Sequence, residues 1–259
     1  MLRFAVIGHP VAHSLSPRIH AANFMALGID AEYTAVDVEP EALESAVARF
    51  AADGFRGINV TVPHKVAVKE IVDRLDSTAV KAGAVNTVLF EPDGATAGFN
   101  TDMAGFRSPL DEASFRFDAA RILVIGAGGA SRAVVAACRD AGCAEVVVAN
   151  RTVRPGLVRL GSSECLEFAR GADLIVNATT VGLRDGDPCV LDETVFRPGQ
   201  IVYDLIPVAR ETATLAAAKR RGARAIGGLG MLAAQAAESF RIWTGRAADL
   251  SAMLGALSS

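Results

Sequence analysis

The chain has 259 residues, 51% of them apolar, with 24 glycines and only 6% aromatics, a make-up that suits α/β layers packed through Ala, Val, Ile and Leu rather than a disordered chain. A formal net charge of −3 without any basic stripe gives neither nucleic acid nor an anionic membrane electrostatic support as a partner, and no apolar run approaches the roughly 20 residues that span a bilayer. Cys138, Cys143, Cys165 and Cys189 fit no CxxC or zinc spacing, no secretory signal precedes them, and Pro10 keeps His9 and His13 off one helix face; the expectation is a cytoplasmic protein with reduced thiols and no metal.

In chain order, 3–8 reads as a buried strand and 16–28 as a helix with Ser16 as N-cap, Pro17 in the first turn and Gly28 as its stop. A strand over 31–38, a helix over 40–53 and a strand over 57–62 follow, the alternation of parallel βαβ units. Residues 66–81 read as helical, 84–101 as a hairpin around Pro92-Asp93-Gly94, and 102–117 as a connecting helix. A second series of strands begins at 121–129 and continues at 145–151, 173–182, 200–206 and 223–228, so two α/β domains joined near 101–103 are expected. Helices over 230–245 and 247–257 close the chain, and periodicity alone does not say which domain they join.

The segment "VIGAGGASRA" (124–133) follows a strand and opens a helix, the context of a dinucleotide loop. Gly126 permits the tight turn and Gly128 a close backbone approach, and Ala127, Gly129 and Ala130 complete the loop at a helix N-terminus that offers N–H donors to a pyrophosphate; Ser131 stands where a third glycine is usual. The next strand runs into Asn150, Arg151 and Thr152, with Arg154 close by, where an NAD site would carry Asp or Glu. A guanidinium there binds a 2′-phosphate that a carboxylate would repel, so the cofactor expected is NADP.

Hydride transfer needs a proton donor or acceptor beside the reacting carbon, outside the carboxyl ends of strands. Polar clusters occupy such places at "HSLSP" (13–17), "NVTVPHK" (59–65), "GAVNT" (83–87) and "NTD" (100–102). A lone loop lysine is ordinarily solvated, so Lys65 draws its interest from these neighbours. In "GHPVAHSLSP", "NVTVPHK", "GAVNT", "GFNTD", "IGAGGASRA", "NRT", "NATTVGL" and "GLGMLAAQAA", in that order and spacing, the sequence resembles the shikimate dehydrogenase family over nearly its whole length.

The resemblance implies reversible NADPH-dependent reduction of 3-dehydroshikimate to shikimate, on the route to chorismate and the aromatic amino acids. It implies a substrate domain of 1–101 plus 230–259, with a mainly parallel sheet and the C-terminal helices returning to it, and a Rossmann-type NADP-binding domain of 102–229. Lys65 and Asp102 correspond to the catalytic acid/base pair, Ser14 and Ser16 to hydroxyls holding the substrate carboxylate, and Thr61, Asn86 and Gln235 to contacts with the ring substituents. Leu205 and Gly228, where two late strands end, complete the cofactor candidates. A homodimer is compatible with this expectation.

One segment departs from the family. In place of D-x-x-Y-x-P-x-x-T stands "DLIPVARET" (204–212), which keeps Asp204 and Thr212 but puts Pro207 at the tyrosine and Ala209 at the proline. Pro207 has neither a hydroxyl nor a backbone N–H, which leaves substrate affinity or identity open. A related dehydrogenase of quinate or aminoshikimate is the enzyme alternative. A non-catalytic metabolite sensor is the other class, and it would be expected to lack Lys65 or Asp102.

Overall fold

The computed structural model describes residues 1–258. The chain divides into two compact units: Met1–Gly105 with the segment from Ala233 onward, and Phe106–Leu232.

In the first unit β1 (Leu2–Gly8), α1 (Ser16–Leu27), β2 (Ala31–Asp37), α2 (Leu43–Ala52) and β3 (Gly57–Val60) form successive crossovers. β4 (Arg74–Leu75), α3 (Ser77–Ala82), the hairpin of β5 (Thr87–Phe90) and β6 (Thr96–Phe99), and the start of α4 (Asp102–Glu112) follow. The six strands are ordered β2-β1-β3-β5-β6-β4; β1 pairs parallel with β2 and β3, and β5 antiparallel with β3 and β6. Because β2 and β3 flank β1 on opposite sides, the chain leaves β1 and β3 in opposite directions and opens a crevice at their carboxyl ends.

Alternation along β1 supplies both faces of this sheet. Phe4 and Val6 pack with Phe24, Tyr33, Phe240 and Trp243, while Ala5 and Ile7 pack with Val47, Phe50, Ile58 and Val60.

The second unit holds β7 (Arg121–Ile125), α5 (Gly129–Asp140), β8 (Glu145–Asn150), β9 (Val158–Arg159), α6 (Ser163–Gly171), β10 (Leu174–Asn177), β11 (Ile201–Asp204), α7 (Ala213–Arg220) and β12 (Arg224–Gly227). Its sheet, ordered β12-β11-β10-β7-β8-β9, is parallel throughout; counted from β7 this is the 3-2-1-4-5-6 order of doubly wound nucleotide-binding folds. Leu123, Ile125, Ile175 and Val202 are completely or almost completely buried at its centre.

α8 (Leu229–Thr244) and α9 (Leu250–Ser258) end the chain. Phe240 and Trp243 of α8 join the Phe4 cluster, and the Asp249 N–H ahead of α9 donates to Asn23 Oδ1 at 2.8 Å, so the C-terminal helices belong with the first sheet.

The elements differ from expectation in several places: β10 ends at Asn177 within the strand expected over 173–182, β9 lies outside the expected strands, and a 3-10 turn over Pro40–Ala42 precedes α2. Ser16 is the first residue of α1 and not its cap: Leu15 holds that position in helical conformation, and the Ser16 N–H donates to Ser14 Oγ at 3.3 Å. Residues 66–81 are not one helix. Asp73 accepts from Thr96, and Asp76 caps Thr78 N–H at 2.8 Å, so side-chain-to-backbone bonds interrupt the run and leave a 3-10 turn, β4 and α3. The connecting helix stops at Glu112, beyond which Ser114 takes a left-handed φ of 56°.

Candidate active site

Lys65 lies just beyond β3 in a turn held by backbone on several sides. Thr61 N–H donates to Ile7 O at 2.9 Å, His9 N–H to Val62 O at 3.0 Å and Val85 N–H to Lys65 O at 2.8 Å. The buried His64 ring donates from Nε2 to Val38 O at 2.7 Å and locks the turn from below. Gly8 allows this closeness, because a Cβ there would meet Thr61 Cγ2 at 2.4 Å.

Lys65 Nζ donates to Asp102 Oδ2 at 2.6 Å, and with side chains only 16% and 8% exposed the two form an ion pair largely withdrawn from water. Asp102 opens α4, where the helix dipole favours a carboxylate. Its second oxygen, Oδ1, accepts from Asn86 Nδ2 at 2.8 Å. The orientation of that amide is fixed from both ends: Oδ1 of Asn86 accepts from the Thr101 backbone N–H at 2.8 Å, and Nδ2 faces a carboxylate.

Behind this array lies a buried polar network in which Ser239 joins Gln235 to Asn59, Thr87 and Thr101 of the polar clusters. Asn59 Nδ2 donates to Thr87 Oγ1 at 3.0 Å and to Ser239 Oγ at 2.9 Å, and its Oδ1 accepts from the Tyr33 hydroxyl at 2.7 Å. Thr101 Oγ1 is 3.0 Å from Asn86 Nδ2 and 3.1 Å from Ser239 Oγ. Gln235, 9% exposed, reaches Thr101 Oγ1 through Oε1 at 3.4 Å. One signal was available in the sequence: Gln235, Ser239 and Trp243 recur every four residues and share a helix face.

The other substrate candidates gather at the same sheet end. Ser14 is half-buried in the turn after β1, Ser16 is buried at the start of α1, and Thr61 is half-buried after β3. Lys65, Asn86, Asp102 and Gln235 are linked by the bonds above; Ser14 and Ser16 are joined to each other.

The cofactor candidates line the carboxyl ends of the second sheet. Gly126 has a φ of 108°, and a Cβ there would come 2.8 Å from Ala178 O, so the position is closed to other residues. Gly128 precedes α5 with open space around it, no side chain among the described residues caps that helix, and Ala127, Gly129 and Ala130 are at least partly exposed. After β8, Asn150 Nδ2 donates to Thr152 O at 3.0 Å and shapes a turn on which Arg151, Thr152 and Arg154 are exposed. A Cβ on Gly228 would lie 2.5 Å from the Leu205 carbonyl group, which brings those two segments together. This cradle fits a dinucleotide with a phosphorylated ribose.

The divergent segment 204–212 is held without a tyrosine. Asp204 accepts from Asn177 Nδ2 at 2.8 Å and from Thr212 Oγ1 at 2.5 Å, and Thr212 also caps α7, so the two retained residues clamp the ends of the loop. Burial raises the Asp204 carboxyl above its ordinary range. Tyr203 does not replace the missing hydroxyl: it is fully buried, stacked on Phe106 with ring centroids 5.4 Å apart, and its OH has no partner among the described residues.

A doubly wound unit with a glycine loop and, in the same chain, a unit carrying a shielded lysine–carboxylate pair at its strand ends define the class of α/β dinucleotide-dependent oxidoreductases. Residues 6–88 match the shikimate dehydrogenase substrate binding domain, 110–157 the shikimate / quinate 5-dehydrogenase family and 228–257 the shikimate 5'-dehydrogenase C-terminal domain. The shikimate dehydrogenase (NADP(+)) of Rubrobacter xylanophilus is 46% identical, with 98% of this chain and 94% of that protein covered. Among solved structures, shikimate dehydrogenase of Aquifex aeolicus superposes with a TM-score of 0.91 at 37% identity, covering 100% of this chain and 98% of that one. Shikimate 5-dehydrogenase of Thermus thermophilus, in complex with NADP(H) and shikimate, gives 0.89 at 42% identity, covering 99% and 98%. The chain belongs to the shikimate dehydrogenase family.

Proposed function

We propose that this chain catalyses the reversible NADPH-dependent reduction of 3-dehydroshikimate to shikimate, with Lys65 and Asp102 as its acid/base pair. The observation that carries this reading is the shielded contact of Lys65 Nζ with Asp102 Oδ2 at 2.6 Å, with Asn86 on the other carboxylate oxygen. NADPH, when bound, supplies the hydride. Lys65 donates a hydrogen bond to the substrate carbonyl oxygen and delivers a proton as negative charge develops there; in the oxidative direction its neutral amine takes the proton back. Asp102 orients the ammonium and balances its charge. Limited water access strengthens both interactions.

Ser14 and Ser16 hold the substrate carboxylate, and Thr61, Asn86 and Gln235 meet the ring substituents. On the cofactor side Gly126, Ala127, Gly128, Gly129 and Ala130 receive the pyrophosphate at the start of α5, Arg151, Thr152 and Arg154 the 2′-phosphate with Asn150 shaping their turn, and Leu205 and Gly228 the nicotinamide end. The first unit thus serves the substrate and the second the cofactor. Cys138, Cys143, Cys165 and Cys189 are all free thiols, which supports a cytoplasmic enzyme.

The test is purified protein assayed with shikimate, quinate and aminoshikimate, each against NADP and NAD, by nicotinamide absorbance. Shikimate with NADP should give the highest kcat/KM. Turnover confined to another pair would replace this substrate assignment, and Pro207 would then be the first position to examine.

A further inference from the structure

We infer that Ser239 is a positioning residue for the Asn86–Asp102–Lys65 array, an inference that rests on the acid/base role proposed above. Ser239 is fully buried on α8. Its Oγ lies 3.0 Å from Gln235 O, 2.9 Å from Asn59 Nδ2, 2.9 Å from Thr87 Oγ1 and 3.1 Å from Thr101 Oγ1. A serine needed only to fill space could be alanine, as its neighbours Ala233 and Ala236 are, and would bring no polar atom into the core.

The direction of these bonds follows from which groups can only give or only take. A hydroxyl has one proton and two lone pairs. The Gln235 carbonyl can only accept, so Ser239 gives its proton to Gln235 O; Asn59 Nδ2 can only donate, and of its three acceptors, Asn86 O at 3.1 Å, Thr87 Oγ1 at 3.0 Å and Ser239 Oγ at 2.9 Å, the nearest is Ser239. One lone pair remains, for Thr87 or Thr101.

Thr101 has the stronger need. Its Oγ1 accepts from Asn86 Nδ2 at 3.0 Å, and its own proton requires an acceptor elsewhere. Asn86 Oδ1, 3.2 Å away, already takes the Thr101 backbone N–H at 2.8 Å and lies 3.0 Å from the Thr87 hydroxyl; Gln235 Oε1 is farther, at 3.4 Å. Ser239 Oγ is the nearest remaining acceptor. With the Thr101 proton drawn toward Ser239, a Thr101 lone pair faces Asn86, one Asn86 N–H is held there, and the other is aimed at Asp102 Oδ1. Asp102 Oδ2 is then left for Lys65. Ser239 acts through Thr101 and Asn86 and touches none of the catalytic pair.

The test compares Ser239→Ala, Ser239→Cys and Lys65→Ala with the parent enzyme. Shikimate oxidation by NADP is measured per NADPH-binding site, titrated by fluorescence, well below each melting midpoint. Ser239→Ala should lose about ten-fold in kcat, the scale of one hydrogen bond, while KM for NADP stays within about two-fold. Ser239→Cys, close in volume but a weak hydrogen-bonding group, should fall between the two and serves if the alanine variant does not fold. A structural role alone would lower the melting midpoint and leave kcat per site at the parent value, and that result in both serine variants overturns the inference. If Lys65→Ala retains parent turnover, the acid/base proposal falls and this inference with it. Loss in Lys65→Ala beside unchanged serine variants removes only the role of Ser239.

Discussion

Trp243 lies against Gly57 so closely that a Cβ on the glycine would be 2.1 Å from the indole Nε1, which donates to Val88 O at 2.9 Å. The bare backbone of β3 is therefore the seat of α8, the helix that carries Gln235 and Ser239 into the polar network. Gly57→Ala should destabilise the enzyme by about 3 kcal/mol, the upper end for overpacking, because the indole is wedged between sheet and helix and cannot move aside. Urea unfolding checks it. A parent midpoint would mean that Trp243 has another place to go.

His20 gives a prediction with a definite sign. The ring is fully buried, stacked on Tyr33 at 4.3 Å, and among the described residues neither nitrogen has a partner within good hydrogen-bond geometry. Burial, opposed in part by the neighbouring Asn59 side chain, lowers its pKa from 6.5 to about 3. Between those values the unfolded chain binds a proton that the folded chain refuses, so stability falls as pH drops below 6.5, by up to about 1.4 kcal/mol per pH unit. His20→Phe removes this linkage. From pH 6.5 to 4.5 the variant should gain roughly 2 kcal/mol relative to the parent, above the range in which Asp37, Asp73 and Asp76, whose pKa values are lowered below 3.8, lose their charge. A stability difference independent of pH would show that His20 does not remain neutral in the folded protein.

The alternation of strands and helices was legible because buried parallel strands are continuous apolar runs, and the glycine loop because Gly126 and Gly128 stand between a strand and a helix. The interruption of 66–81 was not, since it depends on Asp73 meeting Thr96, 23 residues away. Among the site residues, Lys65, Asn86 and Asp102 were found through short motifs. Ser239 was missed because its side-chain partners come from distant segments: the Asn59–Ser239 bond spans 180 residues. Pairings of that kind leave little local pattern to read.

Cofactor choice should rest on Arg151, exposed just after β8. Arg151→Ala should raise KM for NADP by about ten-fold or more, the value of a charge-assisted hydrogen bond, and leave KM for NAD within about two-fold. Initial rates with each cofactor at saturating shikimate provide the comparison. Equal losses with both would show that this guanidinium does not discriminate the 2′-phosphate.

Turnover of Lys65→Ala decides whether Lys65 and Asp102 form the acid/base pair, with folding followed by circular dichroism because the variant leaves Asp102 with Asn86 as its remaining side-chain partner in the pair's network. The measurement is kcat for shikimate with NADP beside the NADPH dissociation constant of the same preparation. A loss of kcat of about a hundred-fold or more is expected, the contribution of a positioned general acid/base, with NADPH binding unchanged within about two-fold. A folded Lys65→Ala enzyme that turns over at the parent rate would contradict that role.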